Sequence, residues 1–349
     1  MGATSLGHCT RLLIDQPLVS NDNLFMKNIL KLLVLAFVFT GAGTVKGQSR
    51  ASVSFHSTVN ETLVGGEAIK TVRLQSGVQL EYAEQGSPSG TPVIFLHGYT
   101  DSWRSFHQVL PLLPESIHVY TISQRGHGIS DRPAKGYSPG DFALDVADFM
   151  RELNISSAII VGHSLGATIA QRFALDYPYM VKGIVLVGSF SAFTTNASVA
   201  ELRSIVDNLQ DPVDSVFVYQ FQKSTLFRPV PVGAFQIYVS ESLKVPARVW
   251  KAIANEALTV DYSKAIENIS VPTLIIWGDK DTFCPRSDQY TLARAIKKSS
   301  LIIYEGVGHA VHWEDPERFT ADLLSFVNSI GGNLKTITES DRKEALLHY

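Results

Sequence analysis

Six short apolar runs recur along the chain, with polar or helix-like sequence between them. The runs are residues 93–97, 118–123, 158–162, 183–188, 273–277 and 301–304. Apolar runs of this length and continuity are typical of strands that are buried on both faces of a parallel sheet. Strands that alternate with helices form βαβ units with right-handed crossovers. The chain is therefore expected to fold as an α/β protein.

The segments between the runs carry helix signals, and one of these segments is unusually long. Ser138, Pro139 and Asp141 have the order of an N-cap, a first helical residue and a capping-box acid, so a helix is predicted to begin there. After residue 188 the alternation stops for about 80 residues, which is too long for an ordinary loop. This stretch has mostly helical patterns. It predicts an inserted helical cap at about residues 190–270.

The N-terminal sequence has the pattern of a secretory signal peptide. Lys27 and Lys31 precede an apolar run at residues 32–39. Small residues follow this run, and a cleavage site is expected near Gly47. The run is shorter than the 18 or so apolar residues that a membrane-spanning helix needs. An ordinary N-terminal helix is the alternative interpretation. The pattern predicts an exported protein, periplasmic or secreted, with no stable membrane span after signal removal.

The position of this segment divides the chain. A signal peptide lies at the start of a translated chain, so translation is expected to begin at Met26. Residues 1–47 are then leader and signal, and residues 48–349 form the functional domain. Cys9 would be lost with the leader, which leaves Cys284 as a single thiol.

Composition excludes several functional classes. The chain has 349 residues, of which 45% are hydrophobic, so a sizeable core is possible and disorder is not expected. A formal net charge of −3 without a run of lysine or arginine argues against nucleic acid as a partner. Two cysteines are too few for a disulfide framework or a zinc cluster. We expect a small-molecule substrate, no cofactor and no metal. The oligomeric state stays open.

A nucleophile motif follows one of the apolar runs directly. Residues 162–166 have the sequence Gly-His-Ser-Leu-Gly, between the run at 158–162 and a helical pattern. A G-x-S-x-G sequence in this context places the serine on a sharp strand-to-helix turn, and its neighbours two positions away must be small. Ser164 is therefore the predicted nucleophile.

A serine hydroxyl needs a base, and the base needs an orienting acid. Both groups are expected at the carboxyl ends of later parallel strands. His309 follows the run at 301–304 and is the predicted base. Asp281 follows the run at 273–277 and is the predicted acid, whereas Asp279 is expected to support the turn. The less favoured substitutes for the acid are Asp211 and Asp214.

The reaction also needs hydrogen-bond donors for the oxyanion. The backbone N–H of Leu165, directly after the nucleophile, is one candidate. Gly98 follows the run at 93–97 and allows close backbone approach, so the N–H of Tyr99 is the second. The aromatic residues expected to line the substrate pocket are Trp103, Phe217, Tyr219 and Phe221, with core packing as the alternative for each.

In order along the chain, these motifs make residues 72–330 resemble the α/β-hydrolase superfamily. The resemblance rests on residues 97–99, 125–133, 162–166, 278–281, 308–309 and 312–316. It implies a mostly parallel eight-stranded sheet flanked by helices, with a helical cap over the site. Ser123 departs from the family, which usually has aspartate there. Ser164 stands where epoxide hydrolases and haloalkane dehalogenases of this branch use aspartate, which argues against those two activities.

The motifs predict a serine hydrolase that cleaves a small to medium, largely apolar carboxylic ester or lactone through an acyl-enzyme. Two alternatives remain open. One is a carbon–carbon bond hydrolase or cofactor-free perhydrolase with the same three residues. The other is a ligand receptor on the same fold.

Overall fold

The structure, a computed structural model, describes residues 68–331. The predictions for Met26, the cleavage site near Gly47 and Cys9 lie outside the described residues. One eight-stranded sheet has the strand order β1-β2-β4-β3-β5-β6-β7-β8. Its strands are β1 Ala68–Arg73, β2 Gln79–Gln85, β3 Thr91–Leu96, β4 Ile117–Ser123, β5 Ala158–His163, β6 Val181–Val187, β7 Thr273–Gly278 and β8 Ser299–Tyr304.

Strands β3 to β8 pair in parallel, whereas β2 is antiparallel to both of its neighbours. This arrangement confirms the predicted α/β class and the mostly parallel sheet. The helices are α1 Pro139–Glu152, α2 Leu165–Asp176, α3 Ala197–Val206, α4 Ser215–Ser224, α5 Val232–Leu243, α6 Ala247–Glu256, α7 Arg286–Ala295, α8 Val311–Glu314 and α9 Pro316–Gly331. Short 3₁₀ turns lie at Trp103–Phe106, Leu110–Leu112, Pro178–Met180 and Ala265–Asn268.

Helix α1 begins where the sequence indicates. The Ser138 side chain accepts from the Asp141 N–H, and the Asp141 carboxylate accepts from the Ser138 N–H at 3.0 Å. Pro139 occupies the first turn, where its missing N–H costs no hydrogen bond. The capping box therefore fixes the start of the helix.

The core lies on both faces of the central strands. Val93 and Phe95 of β3 point to one face, together with Ile159 and Val161 of β5, and all four are fully buried. The residues between them are also buried, which is why these strands have unbroken apolar sequences. Phe319 and Leu323 of α9 join the same cluster.

Helices α3 to α6, residues 197–256, follow β6 and precede β7, and we call them the helical insertion. They replace the single helix that usually connects two parallel strands. Within residues 68–331, no helix has both the length and the apolar character needed to cross a membrane.

Candidate active site

Ser164 lies on a strained turn between β5 and α2. Its φ is +53°, a left-handed value that a residue with a side chain rarely adopts. The flanking glycines make the turn possible. A Cβ on Gly162 would overlap the carbonyl oxygen of Gly166, and a Cβ on Gly166 would overlap that of Leu96. The Ser164 N–H donates to Val187 O at 2.9 Å, which ties the turn to the end of β6.

His309 and Asp281 form a hydrogen-bonded pair in the loops after β8 and β7. His309 Nδ1 lies 2.8 Å from Asp281 Oδ2, and the Asp281 side chain is fully buried, at 0% exposure. Because a carboxylate can only accept, Nδ1 carries the proton and Nε2 is left as the basic nitrogen. The geometry therefore gives His309 the tautomer that a general base requires.

The Asp281 carboxylate is itself held in place by the backbone. Its Oδ1 accepts from the N–H groups of Phe283 at 2.8 Å and Cys284 at 2.9 Å. Asp279 is bound elsewhere: it lies 2.8 Å from the Lys280 amine and accepts from the Gly306 N–H at 2.5 Å. Of the two acids in this loop, Asp281 contacts the histidine and Asp279 joins β7 to the loop after β8.

The two substitute acids lie on the helical insertion, away from the histidine. Asp214 caps α4 by accepting from the Phe217 N–H at 2.8 Å. Asp211 accepts from the Ala247 N–H at 2.7 Å. Both carboxylates have structural partners.

Ser164 and His309 line the same pocket. Among the described residues, the hydrogen bonds include none between the Ser164 hydroxyl and His309. Such bonds are often long in an empty site and shorten when substrate binds. The helical insertion also positions the base, because Thr225 O accepts from the His309 N–H at 2.9 Å and from the Ala310 N–H at 3.1 Å.

The two predicted oxyanion donors are the N–H groups of Leu165 and Tyr99. Leu165 is the first residue of α2, so its N–H belongs to the free amino end of the helix. Tyr99 lines the pocket, and its side-chain hydroxyl donates to Trp250 O at 2.6 Å. Neither N–H donates to an acceptor within residues 68–331. Their role as oxyanion donors stays a prediction.

The pocket is small and mostly apolar. Its cavity volume is about 40 Å³, enough for a few water molecules in a closed site. Apolar side chains form most of its wall; they are Phe190, Phe193, Val199, Leu202, Phe221, Leu258, Phe283 and Trp313. Beyond the predicted catalytic groups and Tyr99, the pocket lining includes four further polar residues: Asp101, His163, Gln222 and Thr225.

Of the four aromatic residues predicted to bind substrate, the structure brings only Phe221 to the pocket wall. Phe217 lies one helical turn earlier on α4 and packs against Trp250, with ring centroids 5.6 Å apart. Tyr219 is 43% exposed because it lies on the opposite side of α4. Trp103 is 2% exposed within the main core. These three placements correct the expected pocket lining.

The departure from the family at Ser123 has a local explanation. Its hydroxyl accepts from the Trp103 N–H at 3.1 Å and donates to Glu81 Oε2 at 2.8 Å. Glu81 comes from the neighbouring strand β2 and also accepts from the Ile129 N–H at 3.1 Å. A serine–glutamate pair thus places a buried carboxylate beneath the loop that carries Tyr99. Sequence reasoning missed Glu81 because its partner lies 42 residues away.

Four further histidines are buried around the site and are neutral. Burial lowers the pKa of His127 to about 4 and that of His312 to about 3. It also holds the pKa values of His97 and His163 well below the ordinary range. These imidazoles are therefore uncharged near neutral pH.

Asp281, Cys284 and His309 are the donor groups in the described chain that come near enough to share a metal ion, with ligand atoms within 4.8 Å of one another. Burial raises the pKa of the Cys284 thiol well above its ordinary value, and its sulfur donates to Gly188 O at 3.0 Å. A metal binds the thiolate rather than the thiol. The protonated Cys284 is thus poorly suited to bind a metal, and it packs against the pair instead.

Known proteins share this fold. A profile of the alpha/beta hydrolase family matches residues 93–323. The bifunctional esterase/perhydrolase DCH of Acinetobacter calcoaceticus is 28% identical, over 74% of this chain and 99% of that protein. The non-heme chloroperoxidase of Streptomyces lividans is also 28% identical, over 74% and 99%. The crystal structure of esterase RhEst1 from a Rhodococcus species matches with a TM-score of 0.68 at 27% identity, over 75% and 99%. The resemblance in the sequence is confirmed, and the chain belongs to the α/β-hydrolase family.

Proposed function

We propose that this hydrolase cleaves small carboxylic esters or lactones through an acyl-enzyme formed on Ser164. The observation that carries the proposal is the bonded pair of Asp281 and His309, which opens on the same pocket as a serine held at positive φ. Strained, pocket-facing serines of this kind are typical of nucleophiles.

The proposed reaction uses the histidine twice. His309 Nε2 takes the hydroxyl proton as Ser164 Oγ attacks the substrate carbonyl. The Leu165 and Tyr99 N–H groups stabilise the negative charge that develops on the carbonyl oxygen. His309 then gives its proton to the leaving alkoxide, and the alcohol departs. A water molecule then loses a proton to the same nitrogen and attacks the acyl group. The bond to Ser164 Oγ breaks, His309 returns the proton to Oγ, and the acid departs.

The pocket favours the small end of the substrate range. A cavity of about 40 Å³ is well below the 150 Å³ or so that accommodates benzene. We therefore expect short acyl chains to be preferred, since a longer chain such as octanoyl needs more room beside Ser164. We expect kcat/KM to fall at least about tenfold from butyrate to octanoate esters.

Replacement of Ser164 by alanine tests the nucleophile. We expect Ser164→Ala to lower kcat for p-nitrophenyl butyrate by about 10⁴-fold or more, since the base then has no hydroxyl to activate. Labelling by a fluorophosphonate should disappear as well. Ser189→Ala is the matched control, because this buried serine accepts from Gln171 and does not line the pocket. Full activity in Ser164→Ala, or equal losses in both variants, would refute the assignment.

Perhydrolysis is a second candidate, supported by the similarity to the Acinetobacter esterase/perhydrolase. Hydrogen peroxide would replace water in the second half-reaction, and the acyl group would leave as a peracid. The wild-type protein is assayed with acetate and peroxide for peracetic acid, alongside ester hydrolysis. A peracid rate above the hydrolysis rate would favour the perhydrolase.

Export is a further part of the proposal and rests on the sequence of residues 26–47 alone. N-terminal sequencing of the protein recovered outside the cytoplasm should find a chain that begins near Gln48. A chain that retains earlier residues would contradict it.

A further inference from the structure

A buried carboxyl group that the proposed reaction does not use lies in the pocket. Asp101 is 4% exposed and lines the pocket together with Ser164 and His309. A buried carboxyl needs hydrogen-bond partners, because an unpaired polar group in an apolar site is costly. The partners of Asp101 therefore indicate what the pocket can bind.

The protein satisfies this carboxyl only in part. Gln222 Nε2 donates to Asp101 Oδ1 at 2.9 Å, and the Ser105 hydroxyl donates to Oδ2 over a long 3.4 Å. A carboxylate has about four lone-pair sites. Asp101 thus keeps acceptor capacity, on Oδ2 above all, that no described residue uses well.

The Gln222 side chain beside Asp101 is held in place by hydrogen bonds within the protein. Gln222 Nε2 also donates to Ser242 Oγ at 2.5 Å, and that hydroxyl donates to Thr100 O at 3.1 Å. Gln222 is 1% exposed, and the side-chain hydrogen bonds that it forms with described residues are the two that its Nε2 donates. The pocket therefore holds two immobilised polar groups with unused acceptors, and immobilised groups lose little entropy when they bind.

The protonation state of Asp101 determines which substrate groups can form a hydrogen bond with it. Burial raises the pKa of Asp101 to about 7, although the hydrogen bonds from Gln222 and Ser105 favour its ionised form. Near neutral pH the carboxyl is thus present in both protonation states. A hydroxyl can donate to the carboxylate or accept from the carboxylic acid, whereas an ammonium group can only donate. A neutral hydroxyl is the substrate group that suits both states.

We propose that Asp101 and Gln222 form a polar subsite for a hydroxyl group on the acyl part of the substrate, near the scissile carbonyl. The preferred substrates are then short hydroxyacyl esters. This inference rests on the proposed ester hydrolysis at Ser164. The preference for a hydroxylated acyl group would then come from Asp101 in the loop after β3 and from Gln222 in the helical insertion.

Matched ester pairs test the subsite in the wild-type protein. One pair is methyl 2-hydroxypropanoate and methyl 2-methylpropanoate; the other is methyl 3-hydroxybutanoate and methyl 3-methylbutanoate. In each pair a hydroxyl is replaced by a methyl of similar size, and hydrolysis is followed by titration of the released acid. We expect kcat/KM to favour the hydroxylated ester by about tenfold or more in at least one pair.

Variants assign the preference to its residues. Asp101→Leu and Gln222→Leu should each reduce the ratio of the two kcat/KM values towards one. Asp101→Asn should retain part of it, because the amide still offers an acceptor oxygen. Thr225→Val is the control for the ratio, since Thr225 lines the same pocket and its hydroxyl already donates to Gln222 O.

The outcomes separate this inference from the proposed function. If both members of each pair are hydrolysed at equal kcat/KM, the subsite proposal is refuted, whereas the proposed ester hydrolysis at Ser164 is unaffected. An unchanged ratio in Asp101→Leu also refutes the subsite proposal, and if that variant fails to fold, Gln222→Leu and Asp101→Asn decide by the same criterion. No ester hydrolysis, with no fluorophosphonate labelling of Ser164, defeats the proposed function itself.

Discussion

The carboxyl edge of the sheet and the helical insertion meet at one pocket, but they are built by different means. At the sheet edge, backbone geometry sets the positions: Ser164 has a positive φ and lies between glycines that admit no side chain. The insertion contributes side chains from helix faces, such as Phe221 and Gln222 of α4. Reactive atoms are therefore fixed by turns, and the shape of the pocket by helix packing.

The two regions are joined by a few polar contacts. Thr225 O accepts from the His309 N–H, and Gln222 donates to Asp101. Through the first contact the insertion holds the predicted base, and through the second it holds the loop that carries Tyr99. Changes at the sheet edge should consequently affect the chemical step, whereas changes on the insertion should affect which substrates react.

The largest expected effect comes from the acid at the sheet edge. Asp281→Asn should lower kcat by about 10³- to 10⁴-fold, because the amide can donate to His309 Nδ1 and so move the ring proton to Nε2. The measurement is steady-state hydrolysis of p-nitrophenyl butyrate, with the melting temperature recorded in parallel.

Asp279→Asn provides the comparison for that variant. Asp279 stands in the same loop but bonds to Lys280 and to the Gly306 N–H instead of the histidine. Its replacement should change kcat by no more than about threefold. Equal losses in the two variants would mean that the loop as a whole, rather than the pair of Asp281 and His309, supports activity.

The acid sensitivity that comes from buried histidines is expected to arise outside the helical insertion. Residues 197–256 contain no histidine, whereas the burial of His97, His127, His163 and His312 lowers their pKa values in the folded chain. Below pH 6.5 these histidines are protonated in the unfolded chain but stay neutral in the folded chain. Each therefore lowers the free energy of unfolding by about 1.4 kcal/mol per pH unit. The loss continues down to the folded pKa, about 4 for His127.

Asp101 acts in the opposite direction. Its pKa is raised to about 7 in the folded chain, so the folded state binds the proton first and gains stability as the pH falls from 7 towards 4. Burial also raises the pKa values of Asp145, Asp288 and Glu314, so these carboxyls act in the same direction as Asp101. The four histidines are expected to dominate just below pH 6.5, where the free energy of unfolding should decrease as the pH falls, as measured by urea denaturation.

His312→Phe sharpens this test. The ring of His312 stacks on Phe106, so phenylalanine preserves the packing, although it loses the bond to Ser105. The lost bond lowers stability at every pH, and the readout is therefore the slope. The slope should become shallower by about 1.4 kcal/mol per pH unit. An unchanged slope would show that His312 does not contribute to the acid sensitivity.

The contrast between the sheet edge and the helical insertion also explains which site residues could be predicted from the sequence. The glycine pattern around Ser164 is local, and parallel strands bring their carboxyl ends to one edge, so Asp281 and His309 could be identified before their contact was seen. Asp101 was missed because only tertiary packing reveals that its carboxyl is buried in a pocket. Glu81 was missed for a similar reason, since its partner Ser123 lies on another strand.

On the insertion, composition identified aromatic residues but could not indicate their orientation. Tyr219 and Phe221 are two positions apart on α4, which separates them by about 200° around the helix axis. Phe221 lines the pocket, and Tyr219 packs on Phe235 at the surface. The difference depends on which face of α4 is buried, and an aromatic-rich sequence does not determine that.

The smallest expected effects test this orientation directly. Phe221→Ala removes part of the pocket wall and should raise KM for p-nitrophenyl butyrate about five- to tenfold, with a smaller change in kcat. The added space should also reduce the disadvantage of octanoate esters. Tyr219→Ala removes a ring of similar size from the exposed side of the same helix and should change KM by less than twofold.

Comparison of Phe221→Ala with Tyr219→Ala tests whether α4 shapes the pocket or only stabilises the fold. If α4 merely stabilises the fold, both variants should change activity in proportion to their loss of melting temperature, and the order of substrates should stay the same. If the face that carries Phe221 and Gln222 shapes the pocket, Phe221→Ala alone should alter the ratio of butyrate to octanoate turnover. A changed ratio in Tyr219→Ala would place the substrate on the outer face of α4 and contradict the observed pocket.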